Sequence, residues 1–510
     1  MKKQFIRDRR LRYGGITVAL TVLIITALIL ANVVLTSLAE RYQWYPNMNE
    51  TGLFEVTEDC FELLDEAFAS SSAGVTEIIF CDLPANMAAE PTQEQLYHTA
   101  RALAERFPER LKVSCHDILE NPTAVRDYAT SFDPKTGEEN PILLDTTAVI
   151  LVNGDYHRSY ALSEFFSFRD GEAEGLWAYN GEKKLAAGIL RAVNPTRPVA
   201  CLTNNHGEVY FDYELVSLLD DAGYNVTYLD LFREEIPADC RLLVTFNPTT
   251  DLVVDPLAAV SERARLEDFL QNGNNAYWLL MSNATPALAN FDAFLEEWGV
   301  DQAWHKSGEN SYRYMVADST QTLTSDGYTI YGEPTATGAS AGLLSDLSPY
   351  TVFKNATSLA PAQGFLNLGD GSYQKGNRVM HALYTGGKNA VAWANGAPVD
   401  EADSAILMSL TEQTNATGKS YVGVVASVEF AAEDFTQSAV YGNADLLFRT
   451  MTLAGGQRTP EGLSPKPYEQ LTISTVTTRQ MLFWTLTLTL VPAVVVTAIA
   501  VTVLVRRRRA

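Results

Sequence analysis

The sequence predicts an α/β protein: two flavodoxin- or Rossmann-like extracytoplasmic domains with a β-rich addition, flanked by two transmembrane helices. Three observations carry this expectation. A strand–helix–strand pattern occupies residues 198–231, strand and helix patterns go on alternating to about residue 300, and an uncharged span of 25 residues lies near each end, at 14–38 and 481–505.

The central unit opens on Val199-Ala200-Cys201-Leu202, a short apolar run bounded by turn residues, which reads as a buried strand. Phe211, Leu215, Leu218 and Ala222 then recur at helical spacing, Leu219 widens the stripe, and Gly223 stands where a left-handed helix cap is expected. Residues 226–231 read as a second strand. Strand, helix and strand within about thirty residues form a βαβ unit with parallel strands. In open α/β sheets ligands collect at the carboxyl ends of strands. Asn205, His206, Gly207 and Glu208 fall at such an end, ahead of a helix, and are the candidate ligand-binding residues, together with Asn247 at the end of a later strand. The same residues also suit a structural part. Asn205 can cap the helix, Gly207 can relieve a tight turn, and Glu208 can complement the helix dipole. Phosphate fits this end less well, because Glu208 already brings negative charge to it.

The two uncharged spans are long enough, at about 1.5 Å per helical residue, to cross a hydrocarbon core of about 30 Å. Six basic residues and one acid precede Tyr13, and Arg506, Arg507, Arg508 and Arg509 follow Val505. Positive charge stays in the cytoplasm, so both termini are expected inside and the segment between the spans outside. The expected division is a basic tail (1–13), a membrane helix (14–38), a first outer domain (39–197), a second with the β-rich addition (198–460), a stalk (461–480), a second membrane helix (481–505) and a basic tail (506–510). Removing the ten tail cations and the one tail acid leaves 28 basic against 61 acidic residues, a net charge of −33. Such an acidic body argues against nucleic acid and against anionic lipid as partners.

In the first outer domain, residues 56–69 have helical periodicity, 77–83 read as a strand, 92–107 as a helix with Thr92 at its cap, and 111–116 as a strand. This is a smaller version of the central pattern. Residues 133–140 read as a polar loop. Strands at 147–152 and 156–162 suit a hairpin across Asn153-Gly154-Asp155. A helix at 182–193 leads into a Pro-containing linker. After the central unit come strands at 241–246 and 276–281 and helices at 261–271 and 287–298, which predict a doubly wound parallel sheet. Residues 306–430, rich in Thr, Ser, Gly and Tyr, read as the β-rich addition, with short runs at 390–393 and 421–428. A helix at 443–453 packs back on the sheet, and 455–469 read as a polar stalk.

Familiar catalytic patterns are scarce. Gly418-Lys419-Ser420 matches the tail of a phosphate-binding loop, but Gln413 stands where its first glycine belongs, and a strand follows instead of a helix. The six histidines, His98, His116, His157, His206, His305 and His381, form no close ligand spacing. Ser282 follows a strand without the Gly-x-Ser-x-Gly turn, so a Ser282–His206 triad rests on residue types alone. Cys60, Cys81, Cys115, Cys201 and Cys240 are odd in number, three of them inside strand patterns, and read as free buried thiols. No metal site and no cofactor are expected.

The central unit and its continuation resemble the GldG-like, gliding-motility type of auxiliary component of ABC transport systems. The shared features are the strand followed by His206-Gly207-Glu208 and a helix, the strand ending in Asn247-Pro248, a Glu-containing helix from Glu262 to the turn at Gly273, Gly442-Asn443-Ala444-Asp445 before a late helix, and the two anchors. The glycine usual before the histidine is Asn205 here, a residue that also tolerates a left-handed backbone. The resemblance implies a membrane-bound, non-catalytic partner of an ABC permease and a separate ATPase, whose outer domains bind substrate, an envelope polymer or the permease. The alternative is an extracellular enzyme acting on glycans or amides, with His206 and Glu208 as base and acid.

Overall fold

The computed structural model describes residues 55–468, apart from 134–137, 169–174, 195, 209–212, 255–260, 272, 303, 308–309, 326, 336–339, 349, 395–396 and 402–404. Both expected membrane spans lie outside the described residues, as does Phe211. Among the described residues no helix is long and apolar enough to cross a membrane.

The first domain starts with α1 (Glu58–Ser70), capped by the Thr57 hydroxyl, which accepts the Cys60 N–H. It continues through β1 (Thr76–Phe80), α2 (Pro91–Arg106), β2 (Leu111–Cys115), β3 (Val149–Asn153), β4 (Tyr156–Tyr160) and α3 (Gly181–Val193). The strand order is β2-β1-β3-β4. β1 and β2 are parallel, as the strand–helix–strand pattern predicts, but β3 joins β1 antiparallel, and β3–β4 is the expected hairpin. The expected small doubly wound domain is therefore corrected to a mixed sheet. All three helices pack on one face, around Leu64, Leu96, Leu151 and Ile189. The other face is covered by Ile118 and Val125 from the loop after β2. Two further expectations change here. The helix starts at Pro91 with Glu90 at its cap, because proline at the first position fixes the entry and needs no N–H partner. The expected loop at 133–140 is a hairpin, Thr130–Asp133 against Glu138–Pro141.

The second domain is built on β5 (Val199–Thr203), α4 (Tyr213–Asp221), β6 (Asn225–Leu229), β7 (Cys240–Phe246), α5 (Glu262–Gln271), β8 (Ala276–Leu280) and α6 (Ala289–Glu297). After the β-rich insertion come β9 (Ser372–Lys375), β10 (Arg378–Thr385), β11 (Ile406–Asn415), β12 (Gly418–Val425) and α7 (Asn443–Met451). The order β6-β5-β7-β8-β12 is parallel throughout. Numbered along the chain, these strands run 2-1-3-4-5, the flavodoxin-type order, in which direction reverses between the first and third strands. Leu218, Leu447 and Phe448 from α4 and α7 cover one face, and Phe269, Phe291 and Phe294 from α5 and α6 cover the other. Gly223 ends α4 at φ +87°, with Tyr224 N–H bonded back to Leu219 O at 3.0 Å, as a left-handed cap requires.

Residues 421–425 belong to the central sheet and not to the β-rich addition. Their unbroken apolar character suits a strand buried on both faces, and β12 enters by a hairpin from β11 instead of a helical crossover. Where it is described, the expected stalk (461–480) is corrected: its first residues belong to the first domain. Leu463 is buried in the first domain's core, and Lys466–Pro467 pairs antiparallel with Leu176–Tyr179.

Helix α3 is buried along its whole length, charges included, because the second domain lies against it. Lys184 Nζ donates to Asp221 Oδ2 at 2.7 Å, and Asp220 Oδ1 accepts from Arg158 at 2.6 Å and Arg191 at 2.5 Å. Arg191 also donates to Tyr224 O and Asn225 Oδ1, each at 2.7 Å.

Candidate functional site

The loop after β5 lies at the carboxyl end of the sheet, beside the point where strand order reverses. Gly207 turns it at φ +77°, a conformation an L side chain resists. A Cβ there would also meet Thr249 Oγ1 at 2.1 Å. The turn folds Glu208 back beneath its own loop, where Oε2 accepts the His206 backbone N–H at 2.6 Å and Oε1 lies 3.1 Å from His206 Nδ1. The Thr203 hydroxyl donates to the same Oε1. On the far side of the ring, His206 Nε2 lies 3.2 Å from Glu262 Oε2, on the first residue of α5. Glu262 also accepts from Asn205 Nδ2 at 2.6 Å and from the Val253 N–H at 2.5 Å. The Thr249 and Thr250 N–H groups both close on His206 O at 2.8 Å. Phe291 meets the imidazole edge-on at 5.3 Å.

The ring is 1% exposed and both carboxylates are fully buried. Burial alone would neutralise His206, but hydrogen bonds to Glu208 and Glu262, together with their charges, overcome it and raise the pKa to about 9. Burial likewise works against both carboxylates. The bonds from His206 and Thr203 to Glu208, and those from His206 and Val253 to Glu262, outweigh it and hold both below the usual glutamate range. The cluster is an imidazolium clasped between two carboxylates, each of whose oxygens has a donor.

Of the predicted residues, the structure joins Asn205, His206, Gly207 and Glu208 in this clasp. The Asn205 side chain is engaged elsewhere, its Oδ1 accepting the Leu231 N–H at 3.2 Å and its Nδ2 donating to Glu262. The Glu208 carboxylate serves His206. Asn247 stands apart on β7's exit, at φ +48°, where its Oδ1 accepts from the Thr285 hydroxyl at 2.8 Å and from Ser282 at 3.4 Å. Ser282 is not paired with His206, since both nitrogens of that ring face carboxylates. Glu262 is the member that sequence reasoning did not assign to the site. Its signals were a glutamate in the first turn of a helix, a common place for one, and the Glu-containing helix among the features of the family resemblance, neither of which ties it to His206.

The remaining motifs are structural. Lys419, second in β12, pairs with Glu412 at 2.9 Å across the hairpin. Asn443 is fully buried and clamps α7 to the addition, donating to Val352 O at 2.9 Å and Phe430 O at 3.0 Å while accepting the Val352 N–H at 3.0 Å. All five cysteines are free thiols, four of them buried, as expected. Among the described residues no group of three or more His, Cys, Asp or Glu side chains is placed to hold a metal ion.

No protein-family model, no curated protein and no solved structure matches this chain.

Proposed function

We propose that this chain is a non-catalytic, membrane-anchored auxiliary subunit of an ABC transport system, with both termini cytoplasmic and its α/β domains outside the membrane. The observation that carries this reading is where the ends of the described body lie. Lys466 Nζ donates to Glu55 O and pairs with Glu182, whose Oε1 accepts the Thr57 N–H at 2.9 Å. Tyr468 N–H continues the pairing to Trp177 O at 2.9 Å. The described chain thus begins and ends at one corner of the first domain. In this reading two membrane helices with basic cytoplasmic ends tether that corner to the membrane.

The saturated clasp supports a non-enzymatic part. A general base must reach the proton it removes, and His206 has neither an open nitrogen nor an open face. The energy of transport then comes from a separate ATPase, in keeping with the missing phosphate loop. Affinity purification of the full chain in mild detergent is expected to recover a multi-span permease and an ATPase subunit. Recovery of neither, under conditions that keep the chain folded, would refute the reading.

A further inference from the structure

The β-rich addition carries a surface feature that anchoring leaves unused. Tyr331, on the short strand Thr329–Tyr331, lies ring to ring with Tyr350 at 5.2 Å, the planes inclined by 51°. Tyr350 forms a parallel bridge with Tyr441, whose ring packs edge-on against Phe435 at 5.9 Å. Tyr350 is 47% exposed and Val440, beside Tyr441, is 54% exposed. Burial and the neighbouring Tyr441 and Tyr350 push the Tyr331 phenol upward, so its hydroxyl stays protonated at neutral pH.

The patch is held rigidly. Tyr331 pairs with Val352 across an antiparallel ladder, and Val352 is the residue clamped on both sides by the Asn443 amide. The Gly442 N–H donates to Tyr350 O at 2.9 Å, and the Tyr350 N–H to Ser348 Oγ at 3.3 Å. Tyrosines fixed in this way offer contact area at little cost in conformational entropy.

The chemistry of the patch selects its occupant. Phenol faces are apolar and their rims donate and accept hydrogen bonds, a match for pyranose rings, whose C–H faces are apolar and whose edges carry hydroxyls. The outer body's net charge of −33 repels polyanions. We propose that Tyr331, Tyr350 and Tyr441 form a stacking platform for a neutral polysaccharide strand of the cell envelope. This inference rests on the reading that the body faces outward.

The test is affinity electrophoresis of the full chain, in a detergent without sugar headgroups, through native gels containing dextran, galactomannan or mixed-linkage β-glucan. Retarded migration in at least one gel is expected. Tyr350→Ala should weaken it about tenfold, the scale of one lost aromatic contact, and Tyr350→Phe should keep most of it. Should Tyr350→Ala lower the melting temperature, Tyr350→Leu, which keeps apolar bulk without a ring, takes its place with the same expected loss. Absence of retardation in all three gels, or retardation that removal of the ring leaves unchanged, would overturn the platform. So would a Tyr350-dependent shift with alginate, a polyanion, and with none of the neutral polymers. If the permease still co-purifies while no polysaccharide binds, the platform falls and the transport reading stands.

Discussion

His206→Ala tests whether the cluster at the strand-order reversal is a clasp or an acid–base pair. The pKa of about 9 against the usual 6.5 corresponds to about 3 kcal/mol favouring the charged ring, at about 1.4 kcal/mol per pH unit. Removing the ring also leaves Glu208 and Glu262 buried without their shared counter-ion, and breaking a buried pair from one side costs about 3–5 kcal/mol. A loss of about 4 kcal/mol at pH 7 is therefore expected, which lowers the melting temperature by about 10 °C for a domain of this size. The pH dependence fixes the cause. His206 has a folded pKa above its unfolded one, so its contribution is whole below about pH 6.5 and disappears as the pH rises through about 9. Glu208 and Glu262 are depressed, so their contribution is present above the ordinary glutamate range and is lost as the pH falls through their folded values. Between pH 7 and 10 the wild type should therefore lose roughly 2–3 kcal/mol that the variant cannot lose, and the gap between them should close by about that amount. Denaturant unfolding of both proteins at the two pH values measures it. A gap that stays constant with pH, or a variant as stable as the wild type, would refute the clasp.

Two further outcomes follow from the same structure. Gly207→Ala should destabilise the second domain by about 2 kcal/mol or more, since it combines a left-handed backbone with a clash against Thr249, and a neutral result in equilibrium unfolding would contradict the turn described. Asp220→Asn should leave Arg158 and Arg191 without their shared anion, weaken the domain interface by about 3 kcal/mol, and split one calorimetric transition into two. A single transition at the wild-type temperature would show that the interface does not depend on that carboxylate.

Local chemistry made much of this fold legible. The apolar run ending at Thr203, the helical stripe of Leu215, Leu218 and Ala222, the cap at Gly223 and the hairpin at Asn153-Gly154-Asp155 each formed where residue type and spacing required it. That the loop 205–208 stands at a strand's carboxyl end was legible for the same reason: it follows a buried strand in a βαβ unit. What stayed hidden depends on contacts distant in sequence. Glu262 reaches His206 across 56 positions. β3 pairs antiparallel with β1 although its own pattern says only that it is buried. Lys184 and Arg191 carry charges that, on an isolated helix, belong in water; they are buried because Asp221 and Asp220 arrive from the other domain. Residues 421–425 read as part of the addition because the insertion before them hides the fact that the parallel sheet resumes.

The buried charges on α3 bear on how the molecule can work. A charge held out of water stabilises a structure only while its partner stays in place, so the ion pairs of Lys184, Arg191 and Arg158 penalise any opening between the domains. The chain also crosses that interface twice, through the linker ahead of β5 and through the return that buries Leu463 and pairs Lys466 with Tyr179. Two crossings and a network of partnered charges make a hinge there expensive, while a movement of the whole body as one unit breaks none of these contacts. Events at the second domain, at the tyrosine patch or beside the clasp, would then reach the first domain as a movement of the two together. In the Asp220→Asn variant, where the domains come apart more easily, limited proteolysis should cut the linker ahead of β5 sooner than in the wild type; equal rates would mean that the interface is held by other contacts.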